Sequence, residues 1–138
     1  MKLSDRVALV TGASRGAGKG IAIALGVGGA TVYVTGRTRE EGDAPLPGTL
    51  AATADAVTEA GGKGIPLYCD HGDDQQVKAV FEQVEREQGK LDVLVNNATA
   101  LNDALTQKGP FWEKPLGLTD LWNVGMRSHY VATHMAAP

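Results

Sequence analysis

The stretch Val10–Gly20, VTGASRGAGKG, places Gly12, Gly16 and Gly18, with Ser14 and Arg15 among them, between an apolar run and a helix-like run. These residue types at this spacing suit anion binding. Glycine lets a backbone turn sharply and bring its N–H groups against an anion with no Cβ in the way. The N-terminus of a following helix leaves N–H groups unpaired and carries partial positive charge. Ser14 adds a hydroxyl donor and Arg15 a guanidinium. A three-glycine turn is also compatible with being only a turn, so the flanking elements decide the reading.

Those elements alternate between strand and helix patterns. Arg6–Val10 reads as a buried strand, and Ala17–Val27 as a helix with Ile21, Ala24 and Leu25 at helical spacing, stopped by Gly28-Gly29. Thr31–Thr35 is β-branched and strand-like. A polar, Pro-bearing loop, Arg37–Gly48, leads to a helix from Leu50 to Ala60 and a third strand at Ile65–Cys69. Pro66 within that strand cannot donate to a ladder, which predicts an edge position. Asp73 with Gln76 three residues on predicts a helix start with a capping box, and Val77, Val80, Phe81 and Val84 mark its buried stripe. Leu91–Val95 is a fourth strand. Ala98–Pro115 reads as a long loop, and Leu116–Ala137 as one helix carrying Trp122, Met126, Tyr130 and Met135. Such alternation predicts an α/β fold with a doubly wound parallel sheet of the Rossmann kind, four strands in a single domain over residues 1–138.

Within that plan the glycine turn follows the first strand and opens the first helix of a βαβ unit, the context a dinucleotide-binding turn requires. A ribose-reading acid stands about 20 residues past the glycines in folds of this kind. Here the chain has Gly36-Arg37-Thr38-Arg39, and Glu40 and Glu41 come only later in the loop. A carboxylate would repel a 2′-phosphate, whereas Arg37 attracts one and Arg15 approaches from the other side. NADP(H) is therefore expected over NAD(H). The competing account leaves both arginines as solvated surface charges.

Two motifs give a resemblance. Thr11-Gly12-Ala13-Ser14-Arg15-Gly16-Ala17-Gly18 is similar to the T-G-x-x-x-G-x-G turn of the short-chain dehydrogenase/reductase family. Asn96-Asn97-Ala98 is similar to its N-N-A-G, with Thr99 replacing the glycine. Phe111-Trp112-Glu113 and Arg127-Ser128-His129-Tyr130 resemble the subgroup of member-1-like dehydrogenase/reductases. The resemblance implies that Asp70 contacts the adenine and that Asn97 and Ala98 line the adenosine ribose. It also implies hydride transfer between nicotinamide and a carbonyl or alcohol, and a homo-oligomeric parent. Asp70 also reads as a turn residue before Gly72, and Asn97 as a strand-end Asx turn.

The family's reaction uses a tyrosine, a lysine four residues later and a serine, all placed after a fifth strand. Tyr33, Tyr68 and Tyr130 are followed at that distance by Arg37, Gly72 and His134, and the sequence stops before a fifth strand begins. The expectation is the cofactor-binding half of an oxidoreductase, truncated and without turnover of its own; the alternative is a non-catalytic dinucleotide-binding or interaction module. A further family asparagine aligns with Gly125. Asn123 lies two residues earlier, about 200° around a helix, and so is expected to face away from the reaction. On this view the fourth strand is left with an unpaired edge and the last helix without the sheet it packs on.

Composition narrows the classes. A formal net charge of −3 disfavours nucleic acid as a main partner, and no apolar run reaches the length of a bilayer helix. The lone Cys69 has no disulfide partner within the chain, which fits a cytoplasmic protein. His71, His129 and His134 lack Cys partners at zinc spacing, so no metal site is expected. Trp112 and Trp122 read as packing residues ahead of substrate contacts, and the charges of Glu82–Lys90 as a solvated helix face.

Overall fold

The structure, a computed structural model, describes residues 2–138. Its strands are β1 (Val7–Val10), β2 (Thr31–Gly36), β3 (Lys63–Tyr68) and β4 (Val93–Val95), all parallel, in the order β3-β2-β1-β4. The helices are α1 (Gly16–Val27), α2 (Leu50–Glu59), α3 (Asp74–Gln88), a single turn α4 (Asp120–Trp122) and α5 (Ser128–Ala136). Winding proceeds outward from β1 through β2 to β3, then returns to place β4 on the other side of β1. Pro66 does sit in an edge strand, where its missing N–H costs no ladder bond.

Strand periodicity divides the core. Ala8 and Val10 point to one face with Val32 and Val34, against Ala22 of α1 and Ala54 and Val57 of α2. Val7, Leu9 and Tyr33 point to the other, against Val77, Val80 and Val84 of α3 and Val131 of α5. Small residues allow the first layer to close tightly. A Cβ on Gly26 would stand 2.7 Å from the Val57 carbonyl oxygen, so α1 and α2 touch backbone to backbone there.

Several expectations from sequence need correction. β4 is three residues long rather than the five of Leu91–Val95. Asp92 is diverted, its carboxylate accepting from the Val7 N–H at 2.9 Å and from Arg6 Nη1 at 2.7 Å, and these bonds hold it well below the usual carboxylate range. The capping box is only half formed. Asp73 accepts from the Gln75 and Gln76 N–H groups, but the Gln76 carbonyl turns to the Asp70 N–H at 2.9 Å. Glu87, expected in a solvated face, accepts from the buried Tyr33 hydroxyl at 2.6 Å.

The final helix is broken. Leu116–Thr119 forms a 3-10 turn ahead of α4, and Val124 (φ −108°, ψ 94°) and Gly125 (φ 142°) leave helical space altogether. What remains, α5, is not stranded without support, because Val131 and Ala132 are buried and Met135 packs on the Leu9 cluster. Trp112 and Trp122 are 73% and 65% exposed, so neither packs in the core.

Two glycines of α1 give opposite expectations. Gly26→Ala must push α1 from α2 and is expected to lose about 1–3 kcal/mol of stability. Gly20→Ala, whose Cβ meets nothing within 4 Å, is expected to gain about 0.5–1 kcal/mol from helix propensity. Urea unfolding of both variants beside the parent chain checks the pair. Equal effects of one sign would contradict the close α1–α2 approach.

Candidate functional site

The site is assembled where the winding reverses, at the C-terminal ends of β1 and β4, the position where open α/β sheets bind their ligands. The Thr11 side chain leaves β1 and ties the two strand ends. Its Oγ accepts from the Asn97 and Ala98 N–H groups at 2.9 and 3.0 Å and donates to the Val95 carbonyl at 3.2 Å. Asn97 answers from β4: its amide nitrogen donates to the carbonyls of Thr11 and Gly12, both at 2.9 Å.

The glycines are required by this closeness. Gly12 has φ +65° and a Cβ there would stand 2.7 Å from Ala98 Cα; one on Gly18 would stand 2.5 Å from the Asn97 amide nitrogen. Gly16, with φ +58°, has open space around its missing Cβ. Arg15 caps α1 in an extended conformation without a side-chain cap bond, so the first-turn N–H groups of Gly16, Ala17 and Gly18 have no intrahelical acceptor. A backbone cradle with one open side and unpaired donors fits a pyrophosphate.

The other sequence-derived residues fall around the same mouth. Ser14 is buried, its hydroxyl facing Gly36 at the end of β2, and its carbonyl accepts from Thr53 Oγ at 3.4 Å. Arg15 does not swing free. Its guanidinium donates to Thr38 Oγ at 2.8 Å, the Gly48 carbonyl at 3.0 Å and the Pro47 carbonyl at 3.1 Å, so it is pinned to the β2–α2 loop. Arg37 is exposed at the end of β2 and reaches to 4.0 Å from the Asp70 carboxylate. The two side chains share a cleft of about 440 Å³ with Gly72, Ala100, Asn123 and Val124.

The setting of Asn123 differs from the continuous helix expected around it. The ~200° argument presumed a continuous helix, and the chain is not helical at Val124 and Gly125. Instead the Val124 carbonyl accepts from the Ala100 N–H at 2.7 Å, and the Gly125 N–H donates to Ser128 Oγ at 3.1 Å. Asn123 then lies beside Asp70 and Gly72 in the cleft wall. Thr99, at the place of the family's glycine, accounts for Gly125: a Cβ there would meet Thr99 Oγ at 2.9 Å.

Two histidines that the sequence analysis weighed only as metal ligands support the mouth from below. His71 is buried, with Nε2 2.7 Å from Thr35 Oγ, and His129 Nε2 lies 2.9 Å from the Ala98 carbonyl. No local pattern in the sequence marks either for this role. The three tyrosines sit in three separate settings. Burial and the hydrogen bond to Glu87 push the Tyr33 hydroxyl up to about 12, Tyr68 lies under the Arg39 guanidinium, and Tyr130 stacks on His134. Among the described residues no cluster of three or more His, Cys, Asp or Glu is placed to hold a metal ion, and no helix is long and apolar enough to cross a membrane.

A glycine-lined helix N-terminus at the switch point of a parallel sheet defines an α/β protein of the Rossmann class. Comparison with known proteins then gives the family. The sequence profile of the short chain dehydrogenases matches residues 6–138. The mouse protein "Dehydrogenase/reductase SDR family member 1" is 47% identical over 135 residues, covering 95% of this chain and 41% of its own length. Among solved structures, a short chain dehydrogenase of Mycobacterium thermoresistibile has a TM-score of 0.86 at 32% identity, over 99% of this chain and 47% of that one. A metagenomic short-chain oxidoreductase in complex with NADP has a TM-score of 0.80 at 34% identity, over 99% of this chain and 57% of that one. The chain belongs to the short-chain dehydrogenase family. It spans about two fifths of the length of the mouse and human member-1 proteins it resembles.

The His71 environment yields a pH dependence. Burial pushes its imidazole down to about 4, with Asp70 opposing and His129 adding to the shift. A folded value below the unfolded value of about 6.5 favours the neutral ring. The associated stability is complete above about pH 6.5 and is lost as the pH falls toward 4. The loss is expected to be about 1–3 kcal/mol. Calorimetric melts from pH 7.5 to 4.5 should fall more steeply for the parent chain than for His71→Gln, which retains a hydrogen-bonding side chain without the titration. Parallel curves would refute it.

Proposed function

We propose that this chain forms the NADP(H)-binding part of an oxidoreductase that moves a hydride between nicotinamide and a carbonyl or alcohol carbon. The observation that carries the reading is the cradle of Gly12, Gly16 and Gly18 held open by Thr11 and Asn97 over the N-terminus of α1. Its backbone donors would hold the pyrophosphate. Arg37, exposed at the β2 end with no carboxylate at that position, would pair with a 2′-phosphate, and Arg15 is fixed on the adjoining loop with Nη1 still free of those three bonds. Asp70, Asn97 and Ala98 would line the adenosine side. Ser14, buried against Gly36, contributes by shaping the turn. The bound nucleotide supplies the hydride chemistry, and the protein's part here is to bind and orient it.

The relative solved with NADP supports this choice of cofactor. None of Tyr33, Tyr68 and Tyr130 has a lysine four residues on, and none has the setting of an acid–base group, so the 138 residues are expected to bind nucleotide without turnover. A cytoplasmic location, resting on the lone buried Cys69, and a homo-oligomeric parent belong to the same reading. A non-catalytic interaction module is the second reading, favoured by the exposed pair Phe111 and Trp112, 81% and 73% accessible, on the loop after β4.

Titration of NADPH and NADH into the purified chain, followed by nicotinamide fluorescence, tests the first. NADPH is expected to bind at least about tenfold tighter, and Arg37→Ala to remove most of that difference while leaving NADH affinity near its starting value. Equal affinities for the two nucleotides would refute the cofactor choice. NADPH oxidation by the homogeneous chain with simple aldehydes and ketones would refute the absence of turnover.

A further inference from the structure

We propose that Asn123 reads the purine edge of the dinucleotide, opposite Asp70, and so sets base preference as Arg37 sets phosphate preference. The inference rests on the reading of the cleft as the adenosine end of a nucleotide site.

The geometry centres on Gly72. A Cβ at that residue would stand 3.2 Å from Asp70 Oδ1, 3.4 Å from Asn123 Nδ2 and 3.5 Å from Val124 Cγ2. One point in the cleft wall is thus flanked by a carboxylate, a carboxamide and a methyl group. Asp70 Oδ1 is engaged by the Gly72 N–H at 2.9 Å, and Oδ2 faces Arg37 at 4.0 Å. Asp70 can accept but not donate. Asn123 is exposed in the same wall and offers both an N–H donor and a carbonyl acceptor. Ala100 and Leu101 supply apolar surface beside it.

That combination matches a purine: two apolar faces and an edge alternating donors with acceptors. On its N7 edge adenine offers the 6-amino donor beside the N7 acceptor, which a carboxamide matches by accepting from the first and donating to the second; a 6-oxo purine presents two acceptors on that edge and cannot make the same match. The kink makes the placement possible. Val124 and Gly125 depart from helical angles, and bonds to Ala100 and Ser128 hold them there. A helix continuing through these residues would carry Asn123 to another face.

The test compares NADPH with its hypoxanthine counterpart, in which an oxygen replaces the 6-amino group. Binding to the parent chain, Asn123→Ala, Asn123→Asp and Arg37→Ala is read by fluorescence and calorimetry. The parent is expected to prefer the adenine nucleotide by about tenfold, and Asn123→Ala to reduce that ratio to near unity by weakening NADPH alone. Asn123→Asp keeps the acceptor for the 6-amino group and loses only the donor to the ring nitrogen, so it should weaken NADPH binding while retaining a preference for adenine. Arg37→Ala should weaken both nucleotides and keep the ratio. Thermal melts matching the parent would establish that the Asn123 variants fold. A parent that binds NADPH but shows the same base ratio as Asn123→Ala overturns the assignment of Asn123 alone. A parent that binds neither nucleotide overturns the cofactor reading and this one with it.

Discussion

The reciprocal bonding of Thr11 and Asn97 is the constraint on which the upper face of this molecule depends. Two parallel strands reach the switch point side by side, and beyond their last ladder bonds nothing in the sheet holds their exits together. Thr11 Oγ takes the two N–H groups of Asn97 and Ala98, while the Asn97 amide takes the carbonyls of Thr11 and Gly12. Four hydrogen bonds between two loop exits fix the height and tilt of the glycine turn, and satisfy backbone groups that a buried turn would otherwise leave unpaired. The tolerances are small, since an added methyl at Gly12 or Gly18 would meet Ala98 or Asn97 at under 3 Å. The first turn of α1 then opens its N–H groups toward the cleft, because no side chain caps it.

From that fixed point the cleft is built outward by loops. The β2–α2 loop closes on Arg15 through three hydrogen bonds to its guanidinium, and the loop is itself shaped by Asp43, whose carboxylate takes the N–H groups of Arg39 and Glu40 and is held below its ordinary range by those bonds. One arginine is thereby immobilised while Arg37 remains exposed. A pinned guanidinium loses little freedom on meeting a phosphate, and a free one supplies reach.

On the opposite wall, two departures from the family's pattern meet each other, Thr99 at the motif's glycine and Gly125 at its asparagine. Thr99 stands where the motif has glycine, and Gly125 leaves room for it. The same glycine allows the positive φ that breaks the last helix and brings Asn123 to the cleft. α5 is meanwhile anchored under the β4 exit by His129 on the Ala98 carbonyl and by Asn96 on Thr133 Oγ at 3.0 Å. The kink is therefore held from both ends.

The fold was legible in the sequence because its signals are local. β-branched runs, helical spacing of Val77, Val80 and Val84, and glycines at the turns place four strands and three helices close to their observed bounds. The glycine turn was legible too, since its chemistry depends on residues adjacent in the chain. What the sequence did not disclose is long-range. The short β4 follows from Asp92 reaching back to Val7, the broken last helix from Gly125 meeting Thr99, the pinned Arg15 from a loop more than thirty residues away, and buried His71 from Thr35 on the neighbouring strand. Each of these pairs residues that periodicity treats as independent. Local propensity is a property of neighbouring residues along the chain, whereas the position of a side chain in the cleft is set by contacts that exist only once the sheet has brought distant segments together.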